Sequence, residues 1–182
     1  MVPARAGLVR NAVRPLPIDV PVHEADGRDF AAQHPGGFDR ILVDAPCTGL
    51  GALRRRPEAR WRKSPSDVAE LVDLQSQLLD AAIDALAPGG IVAYATCSPH
   101  LAETTGVVAE VLRRRDDVVE LDARAVVAGV ASAPIDLAAP IEPGPGSSSA
   151  QLWPHRHGTD AMFLALLQRS ATPTEDSAEE DQ

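Results

Sequence analysis

Two cysteines, Cys47 and Cys97, are the residues of this sequence best suited to covalent chemistry. Cys47 closes the tetrapeptide Asp44-Ala45-Pro46-Cys47, and Cys97 lies in Thr96-Cys97-Ser98; each follows a short apolar segment. A free cysteine has a pKa near ~8.5, and its thiolate is a strong nucleophile. The alternative is that both thiols are buried and inert, and behave as small hydrophobic groups. The elements that carry the two cysteines decide between these interpretations.

The apolar segments before the cysteines are predicted to be β-strands. Phe38–Val43 and Ile91–Ala95 each contain a continuous apolar run, which is typical of a strand buried on both faces. A long amphipathic helix is predicted between them. It begins after Ser64, with Pro65 and Asp67 in a capping-box pattern, and Pro88-Gly89-Gly90 ends it.

Weaker patterns predict the remaining elements. We expect helices over Ala4–Val13 and Ala102–Arg115, strands over Asp19–Glu24, Val118–Leu121 and Met162–Leu167, and loops over Ala31–Gly37, Thr48–Lys63 and Pro134–Ala150.

Alternating strands and helices predict an α/β fold with a parallel sheet. Ligands of such sheets bind at the carboxyl ends of the strands, where both cysteines lie, so we expect the two thiols to face one crevice. Cys97 also precedes a predicted helix, and the positive end of a helix dipole favours a thiolate. The placement therefore favours a reactive Cys97.

Composition limits the class of protein. The formal net charge of −9 argues against a general nucleic-acid coat but allows a local basic patch. No apolar segment approaches the ~18 residues of a membrane span. Two cysteines are too few for a disulfide scaffold, which fits a reducing cytoplasm. We expect one domain over residues 1–169 and a disordered acidic tail over residues 170–182.

Four segments together resemble one enzyme family. Asp44–Gly51 and Tyr94–Ser98 resemble motifs IV and VI of the bacterial RsmB/NOP2-Sun-type ribosomal RNA (cytosine-5) methyltransferases. Asp26 resembles the motif III acid, and Leu152–Asp160 resembles a late motif before the final strand. The resemblance implies a class I, Rossmann-like fold with the strand order 3-2-1-4-5-7-6. It implies methylation of carbon 5 of a cytosine in RNA, with small-subunit (16S) ribosomal RNA as the expected substrate.

The resemblance assigns roles to the site residues. Cys97 would be the nucleophile that forms a covalent adduct with cytosine, Cys47 would assist product release, and Asp44 would contact the cytosine edge or the cofactor. The cofactor would be S-adenosylmethionine, with Asp26 holding its adenine. No metal is implied.

A basic segment separates the two cysteine motifs. Such a cluster beside an active site can neutralise phosphates, and a tryptophan can stack on a base. The residues expected to contact RNA are Arg54, Arg55, Arg56, Arg60, Trp61 and Arg62.

The family's Gly-rich motif I is not found in this sequence. The resemblance therefore implies a partial fold without the first strands, and the strand before Cys47 would expose an unpaired edge. A separate N-terminal half carrying the cofactor loop and an RNA-binding domain would be the partner of this chain. Glu103 alone could align with the acids that follow the family's motif VI.

Two further hypotheses remain open from the residues. Cys97, His100, His155 and His157 are ligand types for zinc and would form a metal site if the fold brought them together. Alternatively, the chain is a catalytically incomplete fragment that keeps the RNA-binding surface.

Overall fold

The computed structural model of the protein describes residues 3–61, 64–137, 144 and 146–171. Its helices are α1 (Pro3–Val13), α2 (Gly27–Ala32), α3 (Pro65–Asp84), α4 (Thr105–Arg114), α5 (Ala123–Val130) and α6 (Pro154–His157). Its strands are β1 (Phe38–Asp44), β2 (Leu86–Thr96), β3 (Val118–Leu121), β4 (Ala150–Gln151) and β5 (Phe163–Arg169). Short 3-10 turns cover Leu50–Ala52, Pro57–Trp61 and Leu101–Glu103.

The strands form one mixed sheet in the order β1-β2-β5-β3, with β4 beside β5. β1 and β2 are parallel, whereas β5 runs antiparallel to both β2 and β3. The expected parallel pairing is therefore confirmed for β1 and β2 and was wrong for the last strand. An apolar strand has the same sequence pattern in either direction, so its direction is set only by the path of the chain.

The hydrophobic core lies where α3 and α4 pack against the sheet. Leu79 and Ile83 of α3 and Val108 of α4 are fully buried there. The predicted start of α3 is confirmed, because the Ser64 amide donates to Asp67 Oδ2 at 2.8 Å. The helix ends at Asp84, earlier than predicted, because Pro88-Gly89-Gly90 belongs to the irregular start of β2, where Gly89 has φ 76°.

β1 is the edge strand of the described sheet, and it is only half-buried. Ile41 and Val43 pack against the core, but Leu42 between them is 69% exposed. Burial on both faces was therefore wrong, while the predicted free strand edge is confirmed: among the described residues, β1 pairs with β2 alone.

Four further elements differ from the sequence predictions. Asp19–Glu24 forms no strand, because a strand exists only with a hydrogen-bonded neighbour and none lies beside it in the described chain. α2 and α5 were missed, although Asp26 and Asp122 cap them through side-chain acceptors. α4 begins at Thr105, after a 3-10 turn.

The acidic tail beyond residue 171 lies outside the described residues, and its predicted disorder stays a prediction. Within the described chain, none of the helices combines the length and apolar character needed to cross a membrane.

The free edge of β1 predicts self-association of the chain. Leu42→Lys should reduce association, because a lysine on an edge strand opposes edge-to-edge pairing. Light scattering over a concentration series measures the effect. Val130→Lys is the matched control, since Val130 is 79% exposed on α5, away from the edge. An equal effect of both variants would implicate apolar exposure in general and contradict the role of the edge.

Candidate active site

The two cysteines meet at the end of the parallel strand pair. The last paired residues are Asp44 and Ala95, and the Ala45 amide then donates to the Ala95 carbonyl at 3.0 Å. The segments that follow β1 and β2 therefore leave the sheet at the same level. The sulfur atoms of Cys47 and Cys97 lie 3.4 Å apart, so the two thiols face each other, as predicted.

The contact between the thiols gives them different pKa values: Cys97 becomes more acidic and Cys47 becomes less acidic. The pKa of Cys97 falls to about 6, first because the Cys47 thiol donates to its sulfur and also because its own backbone amide favours the thiolate. Burial, Asp44 and Asp160 oppose this shift. The pKa of Cys47 is strongly raised, because its proton is held by the Cys97 sulfur and because the group is buried.

The helix dipole does not explain the acidity of Cys97. α4 starts only at Thr105, and Leu101–Glu103 forms a separate 3-10 turn. Since the effect of a helix dipole falls off within the first turn, the expected contribution of the helix was wrong. The hydrogen bond from Cys47 takes its place.

A buried carboxylate joins the loops that carry the thiols. Glu103 is 0% exposed, and Thr48, next to Cys47, donates to it through its amide at 2.7 Å and its hydroxyl at 2.6 Å. Ser98, next to Cys97, donates to the same carboxylate at 2.6 Å. One side chain therefore fixes both loops.

Gln75 of α3 completes the surroundings of this carboxylate. Its amide nitrogen lies 2.8 Å from the Pro46 carbonyl and 3.2 Å from Glu103 Oε1. No role was predicted for Thr48, Gln75 or Ser98 individually. Their only sequence signal is proximity to the cysteine motifs for Thr48 and Ser98, and a polar residue on an otherwise apolar helix face for Gln75.

Gly51 connects a third segment to the two cysteine loops. Its amide donates to the Cys97 carbonyl at 2.9 Å, and its carbonyl accepts from the Ala161 amide at 2.9 Å. A Cβ atom at Gly51 would lie 2.1 Å from the Ala161 carbonyl oxygen. Only glycine fits there, so the segment before β5 packs directly against the thiol site.

Asp44 lies at the rim of a cavity of about 480 Å³ beside β1. The cavity is largely apolar, with Phe30, Phe38 and Leu42 among its lining residues. Asp44 is exposed, and the described residues include no hydrogen-bond partner for its carboxylate. Gly27, which follows Asp26, also lines this cavity.

Asp26 stands at the N-terminus of α2 and is engaged by Arg28. Its carboxylate accepts from the Arg28 amide at 2.9 Å and from the guanidinium at 3.0 and 2.7 Å. These bonds lower the pKa of Asp26 to about 2. A carboxylate has about four acceptor positions, so Asp26 can accept about one further hydrogen bond.

The basic segment divides into a tethered part and a free part. Arg54 and Arg55 both bind the Asp160 carboxylate, and Arg54 also donates to the Gly158 carbonyl at 2.7 Å. The guanidinium of Arg60 lies 5.5 Å from the ring centre of Trp61, which is 83% exposed. Arg56 is exposed, and Arg62 lies outside the described residues.

The described residues contain no group of three or more side chains placed to hold a metal ion. His157 is already engaged by the Trp153 amide and the Asp136 carbonyl, at 2.8 and 2.9 Å. His100 accepts from the Ala102 amide at 3.2 Å. The zinc hypothesis for Cys97, His100, His155 and His157 was therefore wrong, because the fold does not bring them together.

Comparison with known proteins decides the family. The family described as 16S rRNA methyltransferase RsmB/F matches residues 2–168. The chain belongs to this family.

Curated relatives are consistent with membership of the RsmB/F family. A Mycobacterium tuberculosis (strain CDC 1551 / Oshkosh) protein that carries a methyltransferase name is 54% identical over 92% of the chain, which covers 33% of that protein. The ribosomal RNA small subunit methyltransferase F of Serratia proteamaculans is 42% identical over 53% of the chain, or 20% of its own length. The chain thus spans about a third or less of these relatives.

Solved structures confirm the predicted Rossmann-like α/β fold for this RsmB/F member. PH0851 matches with a TM-score of 0.76 and 28% identity over 92% of the chain, which covers 35% of that protein. A methyltransferase homologue from Pyrococcus horikoshii matches with a TM-score of 0.69 and 25% identity over 91% of the chain and 50% of its own length.

The lowered pKa of Cys97 predicts its reactivity. A thiolate forms as pH rises through the pKa, so alkylation of Cys97 should reach half its maximal rate near pH 6, instead of ~8.5 for an ordinary thiol. Cys47→Ala removes the donor and should move the midpoint upward, whereas Cys47→Ser keeps a hydroxyl donor and should move it less. Mass spectrometry of the alkylated peptide measures both. A midpoint unchanged in Cys47→Ala would mean that the Cys47 donor does not control Cys97.

Proposed function

We propose that this chain is the C-terminal portion of an enzyme that methylates carbon 5 of a cytosine in RNA, with small-subunit (16S) ribosomal RNA as substrate. The observation that carries the proposal is the pair of thiols 3.4 Å apart at two adjacent strand ends. Membership of a family named for 16S ribosomal RNA methylation supports the substrate.

Cys97 is the nucleophile in this proposal. Carbon 5 of cytosine is a poor nucleophile, but addition of the Cys97 thiolate to carbon 6 moves electron density to carbon 5. Covalent addition of this kind divides one difficult step into easier ones. A pKa lowered to about 6 leaves Cys97 largely as the thiolate at neutral pH.

Cys47 is proposed to act when the adduct breaks down. While Cys97 is a thiolate, it holds the Cys47 proton and keeps the pKa of Cys47 high. A sulfur bonded to cytosine no longer carries that charge, so the pKa of Cys47 falls and the group can exchange a proton. Product release requires loss of the proton at carbon 5, after which the bond between Cys97 and carbon 6 breaks. In this proposal Cys47 first releases its own proton to solvent and, as a thiolate, then accepts the proton of carbon 5.

The described residues fit S-adenosylmethionine only in part. The exposed Asp44 carboxylate borders both the thiol site and the apolar cavity of about 480 Å³, and Asp26 keeps about one acceptor position for the adenine amino group. When bound, the cofactor supplies an electrophilic methyl group. In this fold class the cofactor is otherwise held by backbone amides of a Gly-rich turn, and the sequence has no such turn before Asp26.

The proposed RNA contacts whose side chains are exposed to solvent are Arg56, Arg60 and Trp61. An exposed indole can stack on an unpaired base, and exposed guanidinium groups can neutralise phosphates. Arg54 and Arg55 remain candidates for RNA contact, but their ion pairs with Asp160 must be kept or exchanged on binding. The contact of Arg62 with RNA stays a prediction.

A partner is part of the proposal. Residues 1–169 would form the C-terminal portion of a catalytic domain, and an N-terminal half with the cofactor loop and an RNA-binding domain would complete it. The free thiols fit a reducing compartment such as the cytoplasm.

The two cysteines should differ in how their loss affects the reaction. The test uses a chimera in which this chain replaces the matching third of the 54% identical Mycobacterium tuberculosis relative. Cys97→Ala should lower methylation by several orders of magnitude and form no covalent RNA adduct. Cys47→Ala should form the adduct and release it slowly. Denaturing gels of protein on radiolabelled RNA measure both.

The trapping experiment can also contradict the assigned roles of the two cysteines. If Cys97→Ala traps RNA and Cys47→Ala does not, the roles are reversed. Adducts in neither variant, with methylation retained in both, would contradict covalent catalysis. RNA binding without methylation by the intact chimera would favour the incomplete RNA-binding fragment.

The chain alone should bind S-adenosylmethionine weakly. Two hydrogen-bonding acids contribute about 1.5–3 kcal/mol each at most, and association costs several kcal/mol of lost ligand freedom. We expect a Kd weaker than about 1 mM. Isothermal titration measures it, with Asp44→Asn as the control for site-specific heat. Micromolar binding by the isolated chain would contradict the account of a partial site.

A further inference from the structure

We infer that Glu103 is a positioning residue that sets the distance between the two sulfur atoms. The inference deepens the proposed function, because thiol spacing matters to the reaction only if both cysteines take part. The effect of Glu103 on the distance between the sulfur atoms, however, can be tested without the reaction.

The strand ladder does not reach the cysteines. Pairing between β1 and β2 ends at Asp44 and Ala95, so Cys47 and Cys97 lie on chain that has already left the sheet. The Gly51 amide ties the first loop to the Cys97 carbonyl, but it does so past Cys47 and through backbone atoms. Another contact must therefore fix the residues beside the thiols.

Glu103 makes that contact from one buried carboxylate. Oε1 accepts from the Thr48 amide and Oε2 from the hydroxyls of Thr48 and Ser98, at 2.6 to 2.7 Å. These donors are the immediate neighbours of Cys47 and Cys97. Bonds to a charged acceptor are short and directional, so the carboxylate acts as a clamp across the two loops.

The clamp is itself held in place. The Tyr94 hydroxyl donates to the Glu103 carbonyl at 2.9 Å, and the Glu103 amide donates to the His100 carbonyl at 2.9 Å. Tyr94 lies in β2 and is 0% exposed. The hydrogen bond from Tyr94 therefore anchors the Glu103 backbone directly to the sheet.

A purely stabilising role would produce a different result from a positioning role. Both predict that Glu103→Ala lowers the melting temperature. Only positioning predicts that the thiols also separate, which removes the Cys47 hydrogen bond from Cys97. Asp44, Asp160 and Arg55, the charged groups that face Cys97, are the same in every variant.

Two measurements on the chain test the inference. In Glu103→Ala, the midpoint of Cys97 alkylation should rise by at least about one pH unit toward the ordinary ~8.5. Diamide-driven disulfide formation between the thiols should slow by tenfold or more, since a misplacement of about 1 Å can cost about 100-fold in a reaction that depends on proximity. Glu103→Gln keeps the reach of the side chain and should recover part of both properties.

Val111→Ala is the matched control. It removes buried methyl groups from α4 and lowers stability without touching the carboxylate. If its effects on the midpoint and on the disulfide rate equal those of Glu103→Ala, the positioning role is wrong.

Thr48→Val and Ser98→Ala keep the test decisive if Glu103→Ala does not fold. Each removes one hydroxyl donor, and each should raise the midpoint and slow disulfide formation by a smaller amount. Unchanged values in both would overturn the inference. These assays use neither RNA nor cofactor. A negative result in them therefore does not contradict the proposed function, and a negative trapping experiment does not contradict the positioning role of Glu103.

Discussion

The Glu103 carboxylate lies out of contact with solvent and accepts hydrogen bonds from the loop after β1, the loop after β2 and helix α3. A buried carboxylate left without partners destabilises a fold by several kcal/mol. Convergence of the three parts on this carboxylate therefore stabilises the fold. Because Thr48 and Ser98 adjoin Cys47 and Cys97, the requirement that satisfies the buried charge also brings the thiols to 3.4 Å.

The sulfur contact then creates the chemical difference between two identical side chains. In isolation both thiols would titrate alike, but once one donates to the other the pair loses its first proton easily and its second with difficulty. The surroundings of Cys97 include the negative charges of Asp44 and Asp160, which disfavour a thiolate. The Cys47 donor and the Cys97 backbone amide outweigh these charges, so the acidity of Cys97 depends on these two short-range contacts.

Among the described residues, the sheet ends at β1, which pairs with β2 alone. Leu42 is exposed, the apolar cavity lies alongside, and Asp44 stands at its rim. The chain spans about a third of the 54% identical relative from Mycobacterium tuberculosis. In the proposed enzyme, the described residues of this chain supply both thiols and the two arginines held by Asp160, and they supply Asp26 and Asp44 toward the cofactor.

The sequence by itself determined the two strands that precede the cysteines, the start of α3 and the candidate thiols. The apolar runs before Cys47 and Cys97, the capping residues at Ser64 and Asp67, and the two cysteine motifs are local patterns, and local patterns can be recognised in a single chain. Only the tertiary structure decided the direction of β5, the exposure of Leu42 on β1 and the separation of the histidines from Cys97. It also decided that Glu103, with Gln75 from a distant helix, binds both loops. These features depend on which segments meet in space, and the pattern of one segment carries no information about its partner.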